Sequence, residues 1–227
     1  MIETEYQTDF FERTITLKEA WMRSEEEIEK LLNNLEKRLG EGKTALVTSL
    51  NIDEEPCLKV YKKKENGIVY KVSPKTELDK MIELQNLGND IGVFVPEPHL
   101  VGNHDDLEFI LMEKVKGYTI KDIVTNNIEL PANFSLDDFI GRVKEFLARM
   151  HEKRIYHRDL HWDNIMIEKG TGKIYIIDFG SSTSSFGDDE SEIYREKTPS
   201  GETITFKTDE DEFKEVCKEL RNYLLTN

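Results

Sequence analysis

The chain has 227 residues, of which 37% are hydrophobic and 34% charged, enough for one substantial domain or for two small lobes. Its formal net charge of −15 repels phosphate backbones and anionic bilayers, so neither nucleic acid nor a membrane surface is an expected partner.

In chain order, Leu17, Ala20, Trp21, Ile28, Leu31 and Leu32 recur at helical spacing among acidic residues and predict an amphipathic helix. Asn33 and Asn34 are read as a break, and "LEKRLGEG" as the start of a strand. Strands follow at "TALVTSLNI" and "CLKVYKK" and, after the turn-rich "ENG", at "IVYKV". In "SPKTELDKMIELQNLGND" Ser73 is a suitable cap, Pro74 suits the first helical position and Gly88 stops the helix. After "VPEPHLVGN", the run "FILMEKV" is too apolar for a surface loop and reads as a buried strand. The next helix has Ser135 as its N-cap and Phe139, Ile140, Val143, Phe146, Leu147 and Met150 on one face. "NIMIE" and "KIYIIDF", separated by "KGTGK", predict a hairpin, and a last helix carries the stripe Phe213, Val216, Leu220 and Leu224. This order suggests two lobes joined near residues 113–117: an N-terminal helical extension over 1–31, a first lobe over 32–113 and a second over 114–227.

The stretch "LGEGKTALV" (residues 39–47) can cradle phosphate in one of two ways. A Walker loop needs a glycine five residues before Gly42, and Lys37 stands there. The alternative is a glycine-rich turn between two strands, which the strand assignments on either side favour.

Two further segments carry chemistry. "HRDLHWDNIMI" (157–167) and "IIDFG" (176–180) lie on the two arms of the predicted hairpin and supply Asp159, Asn164 and Asp178. Phosphoryl transfer needs such a set: one carboxylate to orient the attacking hydroxyl and accept its proton, and further oxygen ligands to hold Mg²⁺ against the phosphates.

The ordered pair H-R-D-L-x-x-x-N and D-F-G resembles the signature of the protein kinase superfamily, in its eukaryotic-like Ser/Thr form. The resemblance implies an α+β fold of two lobes: an antiparallel-sheet N-lobe with one main helix, and a mostly helical, shortened C-lobe. It implies ATP and Mg²⁺ as cofactors and assigns Gly40, Gly42, Ala45 and Val47 to the glycine loop, with Ala45 a departure from the usual third glycine. Lys59 becomes the lysine that grips the α- and β-phosphates, and Glu83 the helix carboxylate that pairs with it, with Glu77 the second choice. Met112 is then the residue beside the adenine, with Glu113 and Val115 offering backbone groups to the base. Asp159 is the catalytic aspartate, Asn164 and Asp178 the metal ligands, and His157 a brace for the loop.

His157 and His161, four residues apart with Asp159 and Asp163 interleaved, also invite a transition-metal reading, which the family resemblance sets aside. Arg158, where kinases carry it, pairs with an activation-loop phosphate. Ser181, Ser182, Thr183, Ser184 and Ser185 are therefore candidate phosphorylation sites, a flexible polar linker being the alternative. His161 stands where protein Ser/Thr kinases usually have lysine, as in kinases of the aminoglycoside and choline type. Only 49 residues follow Asp178, and Ala-Pro-Glu is missing. That compact plan resembles minimal effector kinases exported by Gram-negative bacteria.

Three functions remain open on sequence: a kinase of protein Ser or Thr residues, a small-molecule kinase, and a pseudokinase that docks a partner. The first implies a protein substrate and leaves room for an activating protein partner; a monomer is the default. Cys57 and Cys217 lie in no metal-ligand spacing, no Sec-type leader is visible, and no apolar run approaches a membrane span. The expectation is cytoplasmic, with export into a host cell as the effector alternative.

Overall fold

The computed structural model describes residues 35–41, 45–50, 56–61, 64–65, 68–69, 74–104, 107–184, 195–197, 203–205 and 208–226. The helix expected over 17–32 lies outside these, as do Gly42 and Ser185. The chain divides into two compact units, one of residues up to Ile82 with Pro96–Lys114, the other of Glu83–Val95 with Val115–Asn227. Residues 83–95 group with the second unit because Val93 and Phe94 pair in parallel with Ile174 and Tyr175. A single cut after residue 113 does not capture this exchange.

The first unit is built on β1 (Leu35–Glu41), β2 (Ala45–Leu50), β3 (Cys57–Tyr61), α1 (Pro74–Leu84), β4 (Pro98–His104) and β5 (Leu107–Met112). The strands form one antiparallel sheet in the order β1-β2-β3-β5-β4, with Val47, Lys59, Ile110 and Val101 in register across it. Residues 45–50 thus form a strand antiparallel to β1, where a Walker loop would lead into a helix. β3 is central, and all five of its residues are buried. The core here is Ala45, Tyr61, Leu78 and Ile110, with Ile82, Val101 and Met112 packed against it. The strand at 98–104 is not announced by the sequence, because Pro98 and the glycine and polar residues after it read as turn material.

The second unit contains β6 (Gly117–Thr119), α2 (Ile120–Asn126), α3 (Leu136–Glu152), β7 (Ile165–Glu168), β8 (Ile174–Ile176) and α4 (Asp209–Thr226). The expected hairpin is present: Ile165, Met166 and Ile167 of β7 pair antiparallel with Ile176, Tyr175 and Ile174 of β8. α3 buries Phe139, Val143, Phe146, Leu147 and Met150, and Asp138 N donates to the Ser135 cap at 3.4 Å. α4 buries Phe213, Val216 and Leu220, and the rings of Phe139 and Phe213 meet at 5.9 Å. Leu224, expected on this stripe, is 39% exposed. α2 is too short to show a period, but its capping box is complete: Asp122 N donates to Thr119 Oγ1 at 3.0 Å and Thr119 N to Asp122 Oδ2 at 3.2 Å.

Gly88 was expected as a helix stop, but α1 ends at Leu84 and Gly88 serves a different need. Its carbonyl accepts from Ile91 N and Val93 N, at 3.1 and 3.0 Å. A Cβ there would stand 2.3 Å from the Val93 carbonyl oxygen and 2.7 Å from the Phe146 ring. Gly88→Ala is therefore expected to destabilise the protein by roughly 1–3 kcal/mol. Thermal denaturation measures this, and an unchanged midpoint would show that the backbone yields at no cost.

Candidate active site

In the first unit, Lys59 Nζ lies 2.8 and 2.9 Å from the two carboxylate oxygens of Glu77. Both residues are almost wholly buried, Lys59 at 3% exposure and Glu77 at 2%. Glu83 was the expected partner; it is exposed, near the end of the same helix. The correction has a simple cause. Pro74, Glu77, Leu78, Met81 and Leu84 form the buried stripe of α1, and six residues from 77 to 83 turn the helix well away from it. Buried ammonium and carboxylate groups need each other, because either alone carries a desolvation cost of several kcal/mol.

Ala45 is buried in the core of this unit and Val47 is half-buried, while Gly40 pairs with Val47 across β1 and β2. Met112 is half-buried at the end of β5. Glu113 N donates to Glu97 O at 2.8 Å, so the backbone group this residue can turn to a base is its carbonyl, which also accepts from the Cys57 thiol at 3.5 Å. Burial pushes the Cys57 thiol up to about 12, which keeps it protonated and unreactive. Val115, half-buried, falls in the second unit.

In the second unit, Asp159 stands in a loop whose backbone is held from below. Asp209, in the first turn of α4, accepts from His157 N and Arg158 N, each at 2.8 Å, and meets His151 Nε2 at 2.9 Å. Glu212, one turn on, accepts from Leu160 N. Burial presses the Asp209 carboxyl upward, but the bonds from His151 and the two loop amides, with the nearby His157 ring, outweigh it and hold the group below the usual carboxylate range. Glu212 is shifted the opposite way, by burial and then by the neighbouring carboxylates of Asp159 and Asp209. Arg158 adopts a left-handed φ of 69°, unusual for a side chain with a Cβ, and its guanidinium lies 4.7 Å from the centre of the Tyr156 ring.

Two bonds tie this loop to the other arm of the hairpin. His157 Nε2 donates to Ile177 O at 3.0 Å, and Ile177 N donates to Asn164 O at the same distance. Asn164 gives its Nδ2 to Asp159 O at 2.7 Å, which presents Oδ1 as the side-chain acceptor. Asp178 follows Ile177 directly, in a left-handed conformation with φ of 64°, and caps the turn over Phe179–Ser181. The oxygens of Asn164 and Asp178 make a hard donor set that fits Mg²⁺. Phe179 is buried against the His157 ring, centroids 4.9 Å apart. His157 and His161 serve different partners: His161 Nε2 is 3.6 Å from Asp159 Oδ1, and its Nδ1 accepts from Asp163 N at 3.1 Å.

Of the proposed phosphorylation sites, Ser181 is exposed, whereas Ser182 is only 7% exposed and its hydroxyl has no hydrogen-bond partner among the described residues. A phosphate there would have to be buried, so Ser182 leaves the candidate set. Thr183 and Ser184 pair with Tyr156 and Ile155 through the backbone.

Asp209 and Glu212 are the residues that sequence reasoning missed. Acidic residues in the first turn of a helix are ordinary complements to its dipole, so "DEDE" hid its two loop-binding members. The sequence did carry a signal for Glu77, since Leu78, Met81 and Leu84 mark the buried face it shares.

A family model described as "Protein kinase domain" matches residues 33–200, more than half of the chain. Among curated proteins, the chain is 37% identical over 87 residues to "Probable serine/threonine-protein kinase fnkB" of Dictyostelium discoideum, covering 38% of this chain and 16% of that protein. It is 34% identical over 84 residues to "Serine/threonine-protein kinase PrkC" of Bacillus subtilis (strain 168), covering 37% of this chain and 13% of that one. The similarity therefore spans under a fifth of each of these two relatives. A longer match, to "EKC/KEOPS complex subunit BUD32" of Yarrowia lipolytica, is 28% identical over 191 residues and covers 73% of this chain and 74% of that protein. Among solved structures, the kinase domain of PF14_0431 matches with a TM-score of 0.50 at 19% identity, covering 66% of this chain and 51% of its own. The chain belongs to the protein kinase domain family and has the kinase fold.

Asp209 gives a pH-dependent prediction. A carboxylate whose folded pKa is depressed contributes stability above its unfolded value of about 3.9, and that stability is lost as pH falls through the folded value. The stability gap between wild type and Asp209→Asn should thus be full near neutral pH and should narrow below about pH 4. Denaturation of both proteins across that range tests it; a gap independent of pH would mean that the Asp209 charge is not what holds the loop.

Proposed function

We propose that this chain is an ATP-dependent protein kinase that phosphorylates Ser or Thr hydroxyls. The observation that carries the reading is the buried, two-point Lys59–Glu77 ion pair. Burying that pair costs more solvation than an apolar pair would, so its presence in the central strand asks for a chemical use. Lys59, held by Glu77, turns its ammonium to the α- and β-phosphates. Asp159, with a side chain 45% exposed on a backbone fixed by Asp209 and Glu212, orients the acceptor hydroxyl and receives its proton. Asn164 and Asp178 are the residues that would hold Mg²⁺, which neutralises phosphate charge when bound. Gly40, Gly42, Ala45 and Val47 form the cover that shields the phosphates from water. The antiparallel pairing of β1 with β2 on either side of this stretch supports that assignment.

A second reading, a kinase acting on a small hydroxylated molecule, is favoured by one observation. An imidazole, His161, stands 3.6 Å from the Asp159 carboxylate, where protein Ser/Thr kinases usually carry lysine.

Transfer from γ-labelled ATP with Mg²⁺ to protein in a cell lysate tests the proposal. Lys59→Ala and Asp159→Ala are each expected to lower the rate by on the order of 10²-fold or more. Label on protein Ser or Thr, lost in both variants, is the expected result. Label only on added small alcohols would favour the second reading, and activity retained by Asp159→Ala would remove the assigned chemistry altogether.

A further inference from the structure

We propose that Tyr61 is a positioning residue for the phosphate-binding lysine, completing a buried triad of Lys59, Glu77 and Tyr61. The inference rests on the reading of Lys59 as the group that grips ATP. Lys59 and Tyr61 are two apart on β3 and so project from the same face of the sheet. Tyr61 touches both members of the pair. Its hydroxyl donates to Glu77 Oε2, and its ring lies 5.4 Å below the Lys59 ammonium. All three residues are buried, Tyr61 and Lys59 at 3% exposure and Glu77 at 2%.

The triad answers a mechanical problem. Lysine has a flexible four-carbon stem, and a glutamate carboxylate rotates about its last torsion with little resistance. Even a two-point ion pair between two such groups leaves them free to swing together. A third contact, from a rigid ring, removes that freedom. The Tyr61 ring is itself immobilised, since it packs in the core with Ala45, Leu78 and Ile110. The hydroxyl therefore holds one carboxylate oxygen at a set point on the sheet, and the ring face gives the ammonium a favourable cationic seat beside it. α1 is in this way latched to β3 by a bond that survives when Lys59 turns donors toward a phosphate. A hydrogen bond to a charged group is among the stronger ones available for such a latch.

Tyr61→Phe removes only the hydroxyl, keeping the ring, its packing and its contact with the ammonium. Steady-state kinetics of the full chain with Mg²⁺ and ATP would be compared for wild type, Tyr61→Phe, Glu77→Gln and the double variant. Thermal midpoints would be measured in parallel. The expected result is a KM for ATP raised about three- to tenfold in Tyr61→Phe, with the KM for the protein acceptor unchanged. On the Glu77→Gln background the same change should alter the KM for ATP less than about twofold, because the hydroxyl acts through the carboxylate. A merely structural tyrosine would move the midpoint and both KM values together. An unchanged KM and kcat for ATP, in a wild type whose transfer depends on Asp159, overturns the inference and leaves the kinase reading standing. An equal effect on both backgrounds also overturns it. A wild type that neither binds nor consumes ATP overturns the kinase reading, and this inference with it.

Discussion

The buried carboxylate of Asp209, with Glu212 one turn on, holds the loop that carries Asp159. It lies 51 and 52 residues beyond the two amides it binds, on a helix that makes no claim on substrate in the proposed mechanism. One of those amides belongs to Arg158, whose left-handed backbone costs about 1 kcal/mol or more. The bonds to Asp209 offset that strain. They also solve the carboxylate's own problem, since a buried anion without donors would neutralise or be expelled. The same hydrogen bonds thus offset two costs, the strain in the loop and the burial of the anion. Asp159, between the bonded amides of Arg158 and Leu160, keeps a side chain 45% exposed.

The second constraint is the coupling of the two arms of the β7–β8 hairpin. Hairpin pairing brings residues 165–167 beside 174–176, but Asn164 and Asp178 lie just beyond the paired region. The bonds from His157 and Asn164 to the Ile177 backbone carry the register past the end of the ladder. His157 is fully buried and the hydrogen on Nε2 is fixed by its carbonyl partner, so its role is to brace. Phe179 packs on the same ring and seats the turn that Asp178 caps. The oxygens of Asn164 and Asp178, which we propose as the Mg²⁺ ligands, therefore stand on a backbone braced by an aromatic ring and an imidazole.

In the second unit, α4 turns one face to the core and the other to solvent. Phe213, Val216 and Leu220 face inward, while Glu210, Asp211, Lys214, Glu215, Lys218 and Arg221 are exposed. Ion pairs of Lys214 with Asp211 at 2.8 Å, and of Lys218 with Glu215 at 3.8 Å, run along that outer face. Charged residues of this kind keep that face of α4 solvated. Among the described residues, the large hydrophobic side chains left exposed are Leu224 and Leu225, in the last turn.

The family was legible in the sequence, because its motifs are fixed in residue type and local spacing. Asp159, Asn164 and Asp178, the residues to which we assign the chemistry, were named from the motif, and the hairpin expected between Asn164 and Asp178 is present. The α3 stripe and its Ser135 cap were equally plain, since a long amphipathic helix repeats its signal many times. Which glutamate meets Lys59 was decided by tertiary structure. Glu77 and Glu83 are equivalent in propensity; the stripe Leu78, Met81 and Leu84 hinted at the face that Glu77 shares, and packing of that face beside Lys59 made the pair. The same holds for Asp209 among the four acids of its turn, for the burial that excludes Ser182, and for the seat of Tyr61. Each is a matter of direction and depth, set by contacts between segments distant in the chain. Local sequence fixes what a side chain can do; the packed core fixes what it faces.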